Sequence, residues 1–259
     1  MCNLRTFALA LVAALLLAAL YIHVSYGSYT VTNLNTTVTL NTNTSASVTE
    51  ILSVQISNES MKQYSTDRVA LNLTIQEWRS LIGPMLTQHI INTNKGVYGF
   101  RFLPGPLIPE FSGGRAELLM SYYVPNVTTV SRIAPREFAY TFNTSTFNFE
   151  HGSSGAVLTL NTTLTFVLPS GAKITSVYPI PDAPASGLTN NYANTSSVSW
   201  FYGEPLSKFE LTFVITEGLQ AEVSAFFAGV YRYLGFFSFI IIALLILLFI
   251  IYTYIRVGK

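Results

Sequence analysis

From Leu234 to Ile255 the chain reads LGFFSFIIIALLILLFIIYTYI, 22 residues without a charge. As an α-helix such a run rises about 1.5 Å per residue, or roughly 33 Å, enough to cross a hydrocarbon core of about 30 Å. Tyr231, Tyr233, Tyr252 and Tyr254 stand at its two rims, where amphipathic rings favour the headgroup boundary. The segment is expected to span a bilayer. Arg256 and Lys259 follow at once, whereas Arg232 is the only base near the other side, so the positive-inside rule puts the tail, 257–259, in the cytoplasm. The rest of the chain is then expected outside.

The amino end carries a second apolar run, TFALALVAALLLAALYI from Thr6 to Ile22, preceded by Arg5. That is the basic and apolar layout of a secretory signal, and Ser25 and Gly27 supply the small residues of a cleavage site before Ser28. Residues 1–27 therefore read as a signal peptide. The rival is an uncleaved signal anchor, because 17 apolar residues are just long enough to span. The single cysteine, Cys2, lies in this leader, so the exported part has no disulfide and must be held by core burial alone.

From Ser28 to Val230 there are ten Lys and Arg against thirteen Asp and Glu, a net charge of −3, and no basic run. Nucleic-acid binding needs a basic stripe to neutralise phosphates and is excluded. The same stretch holds eight N-x-S/T sequons, at Asn35, Asn43, Asn58, Asn72, Asn126, Asn143, Asn161 and Asn194. Glycan transfer happens on the exported side, so these agree with the orientation, and the ectodomain is expected to be N-glycosylated.

Its dominant pattern is strand. Val48, Glu50, Leu52, Val54 and Ile56 alternate with smaller or polar residues, as do Ala116 to Val124 and Phe138 to Phe142. Period two with Thr, Val, Tyr and Phe marks half-buried strands. Further runs stand at Val157–Leu160, Leu164–Leu168, Ile174–Tyr178, Val198–Phe201 and Phe209–Ile215, and the Pro169-Ser170-Gly171 turn predicts a β-hairpin between the second and third of these. One stretch departs from the pattern. Thr74-Ile75-Gln76-Glu77 has the form of a capping box, and Trp78, Leu81, Ile82, Met85, Leu86, His89 and Ile90 follow at helical steps. Gly83-Pro84 interrupts them, so two short helices are expected over 74–92. The proline-rich stretches Phe102–Phe111 and Tyr178–Gly187 cannot form central strands and read as loops, the first either folded back on the core or offered as a contact surface. Leu219 to Tyr231 is expected to extend the spanning helix outward, in preference to lying on the bilayer surface.

Chemistry-bearing motifs are sparse. His151-Gly-Ser-Ser-Gly155 lacks the spacing of a nucleophile elbow and has turn composition. The ectodomain's histidines are His89 and His151, its aspartates Asp67 and Asp182, without metal-ligand spacing, and His89 reads as a hydrogen-bonded core residue. Neither catalytic residues, nor a cofactor, nor a metal are expected.

These features together resemble the single-pass surface proteins of archaea: the signal, the disulfide-free Thr/Asn/Tyr-rich ectodomain, the Val167–Asp182 and Ser199–Ile215 segments, and the short basic tail. The resemblance implies an exported, glycosylated β ectodomain on one membrane helix and brings no known site. The expected fold is mainly β, a sandwich-like, immunoglobulin-like ectodomain with a helical insert over 74–92 and one C-terminal transmembrane helix within 219–256. A boundary near Asn126 would divide it into 28–126 and an immunoglobulin-like 127–218; a single large sandwich is the alternative. The expected function is a non-enzymatic surface protein whose partners are the bilayer and proteins of the envelope or membrane. An accessory subunit of a membrane complex and a hydrolase of envelope glycans or peptides are the rivals.

Overall fold

A computed structural model describes residues 29–70, 73–152, 155–159, 161–184, 195–235 and 237–257. The expected signal, the sequons at Asn72 and Asn194, Ser153 and Ser154 of the His151 turn, and residues 185–187 of the second proline-rich stretch, which is described from Tyr178 to Pro184, lie outside these.

The period-two segments at Val48–Ile56 and Ala116–Val124 form strands as expected, β2 (Ala46–Ser57) and β5 (Gly113–Val124), and β1 (Tyr29–Leu40) is a strand not expected from the sequence. All three are twelve residues long and alternate buried with more exposed positions. They build the centre of a seven-stranded sheet. In it β3 (Tyr98–Pro104) and β4 (Ile108–Glu110) pair with β5, while β10 (Thr162–Val167) runs parallel to β1 and carries β12 (Ser197–Trp200) on its far side. A four-stranded sheet, in the order β11 (Lys173–Tyr178), β13 (Glu210–Thr216), β7 (Glu137–Phe142) and β6 (Thr128–Ala134), packs on it. The two sheets meet through aromatic rings: Phe142 of β7 stands edge-on to Phe166 of β10 at 4.8 Å, and Phe209 stacks on Phe166 at 5.5 Å. β8 (His151–Gly152) and β9 (Gly155–Ala156) make a small separate pair. The fold is mainly β with several sheets. β10 and β12 lie beyond Asn126 yet join β1, β2 and β5, so the stretches on both sides of that residue build one sheet in common.

Several local expectations are corrected. Thr162–Tyr178 is not a hairpin: β10 belongs to the large sheet and β11 to the small one, and Pro169–Gly171 carries the chain across the core. Phe166 of β10 is fully buried and meets Phe142 of the small sheet, so β10 faces the sheet of β11 across the core. Of the expected Val157–Leu160 strand, described as far as Thr159, Val157 makes a bridge to Pro205 and no strand forms among the described residues. The first proline-rich stretch does enter strands, β3 and β4, but at the edge, where the missing N–H of Pro104 and Pro109 costs least.

Of the two helices expected over 74–92, one forms. α2 (Ile75–Ile82) has the full capping box, Thr74 and Glu77 bonding each other's backbone N–H, and it ends at Gly83 with φ 107° and ψ −177°. Beyond Pro84 the chain is irregular, and its apolar spacing serves to bury Leu86, His89 and Ile90 in succession. An unexpected helix, α1 (Met61–Ala70), precedes it. α1 and α2 send Tyr64 and Trp78 into the core, with ring centroids 5.7 Å apart, and Trp78 meets Phe102 of β3 at the same distance.

After β13 come α3 (Leu219–Leu234) and α4 (Phe237–Val257). They are not one rod: α3 is capped at Gly235, whose φ of 53° and ψ of −136° lie outside helical space. The side chains described without interruption in α4 run from Ile240 to Tyr252, and among the described residues no helix is long and apolar enough to cross a membrane.

Candidate functional site

The sequence puts a glutamate in register with an apolar strand face. On β2, Glu50 lies between Val48 and Leu52, all three pointing into the core. A carboxylate there needs donors, since an unpaired buried charge is very costly. Three converge. Glu50 Oε1 accepts the backbone N–H of His89 at 2.8 Å and the Tyr122 hydroxyl in a short bond, and Oε2 lies 2.9 Å from His89 Nδ1. The Tyr122 oxygen in turn accepts the Ile90 N–H at 3.2 Å, and the His89 ring tilts against Phe149 at 5.1 Å. Facing an acceptor-only carboxylate, Nδ1 is the nitrogen that carries the proton. Burial, then the charge of Glu50 and the bond to it, push the Tyr122 phenol far above its ordinary 10.0. Glu50, His89 and Tyr122 are 0%, 5% and 4% exposed, so no substrate reaches them in this conformation. The cluster is a clamp that fastens the irregular 83–97 segment to the sheet. The expected core histidine is borne out; Glu50 and Tyr122 were legible only as polar groups on the inner face of two strands.

The other residues flagged by chemistry stay apart. Asp67 accepts from Gln63 on α1, Asp182 accepts the Phe201 N–H at 2.8 Å, and His151 and Glu150 are exposed. Among the described residues no three His, Cys, Asp or Glu side chains gather to hold a metal.

The sequons described are dispersed. Asn43, Asn58, Asn126 and Asn161 are exposed in turns or at a helix start, and Asn143 is half-buried in the turn after β7. Asn35 is half-buried on β1 between β2 and β10, on the sheet face opposite Leu34, Thr36 and Val38.

On that outer face, at the β3 edge, Arg101, Phe102, Leu103, Leu119 and Ser121 line a groove of about 500 Å³. β3 pairs only with β5, leaving its other side open among the described residues. Leu103 and Ile108 are about half exposed and Phe111, at the β4–β5 turn, wholly so. Leu107 alone of this stretch's large aliphatic side chains turns in to pack on the core. No protein-family model matches the chain, and no curated protein matches it.

Proposed function

We propose that this is a non-enzymatic, membrane-anchored extracellular protein, an immunoglobulin-like β ectodomain held in the bilayer by the uncharged segment Leu234–Ile255, which binds other components of the envelope. The observation that carries the reading is the uncovered surface of α4. The sequence is uncharged from Leu234 to Ile255, and Ile240, Leu244, Leu247 and Ile251 of α4 are each exposed by two-fifths or more. That much apolar surface is stable in lipid and not in water. The basic tail and the sequons agree on the orientation.

The partner-binding surface we assign to the β3 edge, where open backbone groups beside an apolar groove suit the addition of a partner strand. The test takes the full chain from native membranes in mild detergent, beside a Leu103→Lys/Ile108→Lys variant. Both side chains are outside the core, so the variant keeps its fold. Envelope proteins copurifying with the native chain and lost from the variant are the expected result. Equal recovery from both, or none from either, rules out the β3 edge. Protease that digests a tag after Lys259 on intact cells while sparing the ectodomain rules out the anchored orientation.

A further inference from the structure

Where β5 passes into β6, three loops converge on a cleft of about 320 Å³. Asn92 and Asn94 come from the segment after Ile90, Asn126 and Thr128 from the β5–β6 connection, and Asn143 and Ser145 from the turn after β7. The whole lining is Asn, Thr and Ser, without a charge.

Local bonding occupies the amide oxygens of Asn92, Asn126 and Asn143. Asn92 Oδ1 accepts the N–H groups of Asn94 and Lys95, both at 3.0 Å, while its Nδ2 donates to the Pro125 carbonyl at 2.9 Å. Asn143 Oδ1 accepts from Ser145 N at 3.1 Å and Ser145 Oγ at 2.9 Å, and Asn126 Oδ1 accepts from Thr44 Oγ1 at 3.5 Å. Among the described residues the Nδ2 groups of Asn126 and Asn143 keep no partner. A second observation points the same way: Thr128 is 4% exposed, and its hydroxyl is buried without a hydrogen-bond partner. Such a group ordinarily finds one.

The chemistry of the lining selects the ligand. An anion would call for a cation or a helix N-terminus, a metal ion for carboxylates, and an apolar molecule would strand the amides. Carboxamides and hydroxyls with spare donors match a neutral ligand with closely spaced hydroxyls, and the volume falls in the range of small-molecule sites, about 300–1,000 Å³. We infer that this cleft seats a sugar ring.

The ring has two possible sources. Asn126 and Asn143 both head sequons, with Thr128 and Ser145 as their hydroxyl residues. The sugar is then either the first residue of a glycan on one of these asparagines or part of a saccharide from a neighbouring molecule. In the first case the bond from Nδ2 to the anomeric carbon replaces that carbon's bond to the phosphate of an activated sugar donor, and the displaced proton passes to solvent base. This source rests on the exported location proposed above; the second does not.

Two preparations of the full chain separate them, both in a detergent without a sugar headgroup. The chain from a bacterium lacking N-glycosylation is titrated with N-acetylglucosamine, glucose and mannose by saturation-transfer NMR. The chain from a glycosylating host is mapped for glycopeptides, and the first sugar is tested for nuclear Overhauser contacts to Asn94. Asn94 is exposed and its side chain bonds no other residue, so Asn94→Ala keeps the fold. Binding of a sugar that weakens roughly threefold to tenfold in Asn94→Ala, the worth of one hydrogen bond, supports the free source. A glycan on Asn126 or Asn143 whose first ring contacts Asn94 supports the attached source. If no sugar binds and no attached ring touches Asn94, or if binding is unchanged in both Asn94→Ala and Asn143→Ala, the inference is overturned. Sugar binding by a chain that proves not to be exported would leave the cleft standing and remove only the location.

Discussion

Glu50 is fully buried, and its three donors give it unequal dependencies. Tyr122→Phe takes away one donor and leaves the Ile90 N–H without its acceptor, an expected loss of about 1–3 kcal/mol. Glu50→Ala strands the His89 N–H, Nδ1 and the Tyr122 hydroxyl together, and a loss of about 3–5 kcal/mol is expected, as for breaking a buried pair. Urea unfolding of the two variants measures this; equal losses would mean that the carboxylate does not fasten the 83–97 segment. The buried phenols give a second expectation. Burial pushes Tyr64 up to about 12, with Arg68 opposing in part, and Tyr122 is raised further. Folded phenols then hold protons that the unfolded chain, titrating near 10, has released. The unfolded state binds fewer protons above pH 10, so the stability that these groups contribute is complete below pH 10 and falls as pH rises toward 12 and beyond. Tyrosinate absorbance should show the Tyr64 and Tyr122 protons leaving only as the chain unfolds. If all tyrosinates form reversibly near pH 10 with native circular dichroism, these two rings are not sealed.

For single elements the sequence was most readable where one signal acts alone. Thr74 and Glu77 announce α2, and the capping box forms: Thr74 Oγ1 accepts the Glu77 N–H at 3.3 Å, and Glu77 Oε2 accepts the Thr74 N–H at 2.6 Å. The bond from the Thr74 backbone holds the Glu77 carboxyl below its ordinary 4.5. Its contribution is present above pH 4.5 and lost as pH falls through the lowered value. Thr74→Ala is expected to cost about 1 kcal/mol near neutrality, with a smaller difference from the native chain in acid. An unfolding midpoint unchanged at pH 7 would show that packing of Trp78 and Ile82 alone sets the helix. Other elements were hidden because tertiary contacts decide them. α1 has no apolar stripe, and only Tyr64 is buried; the hydroxyl of that one ring reaches the Gly105 carbonyl at 2.7 Å. β10 and β11 read as a hairpin because Pro169–Gly171 suits a turn, but local composition does not say whether a turn returns to the same sheet or crosses the core. The Glu50 clamp is half legible for the same reason. Its glutamate stands out as a charge in register with an apolar strand face, while its partners lie 39 and 72 residues away.

At the scale of the whole molecule, one hydrophobic core unites parts that the topology could have kept separate. Its buried apolar residues run from Leu34 to Phe213, and none described belongs to α3 or α4. The two tryptophans report on its two ends. Trp78, from the helical insert, sits among Tyr64 and Phe102, and Trp200, from the edge of the large sheet, sits among Phe166 and Phe209. Both are nearly or wholly buried, and the sheet that holds Trp200 in β12 also holds β3, whose Phe102 meets Trp78. Tyr64, Trp78 and Ile82 of the helical part are buried in the same cluster as Val54, Ile56 and Leu118 of the sheet, so insert and sheets should unfold together. Trp78→Phe and Trp200→Phe each leave a single emitter. Within each variant the denaturant midpoint by tryptophan fluorescence is expected to match that by far-ultraviolet circular dichroism, despite the stability lost to the substitution. A Trp78 signal that changes first, in the Trp200→Phe chain, would show the insert to be a separate unit docked on the sheets. The Glu50 clamp would then be a latch between two units rather than a seam within one.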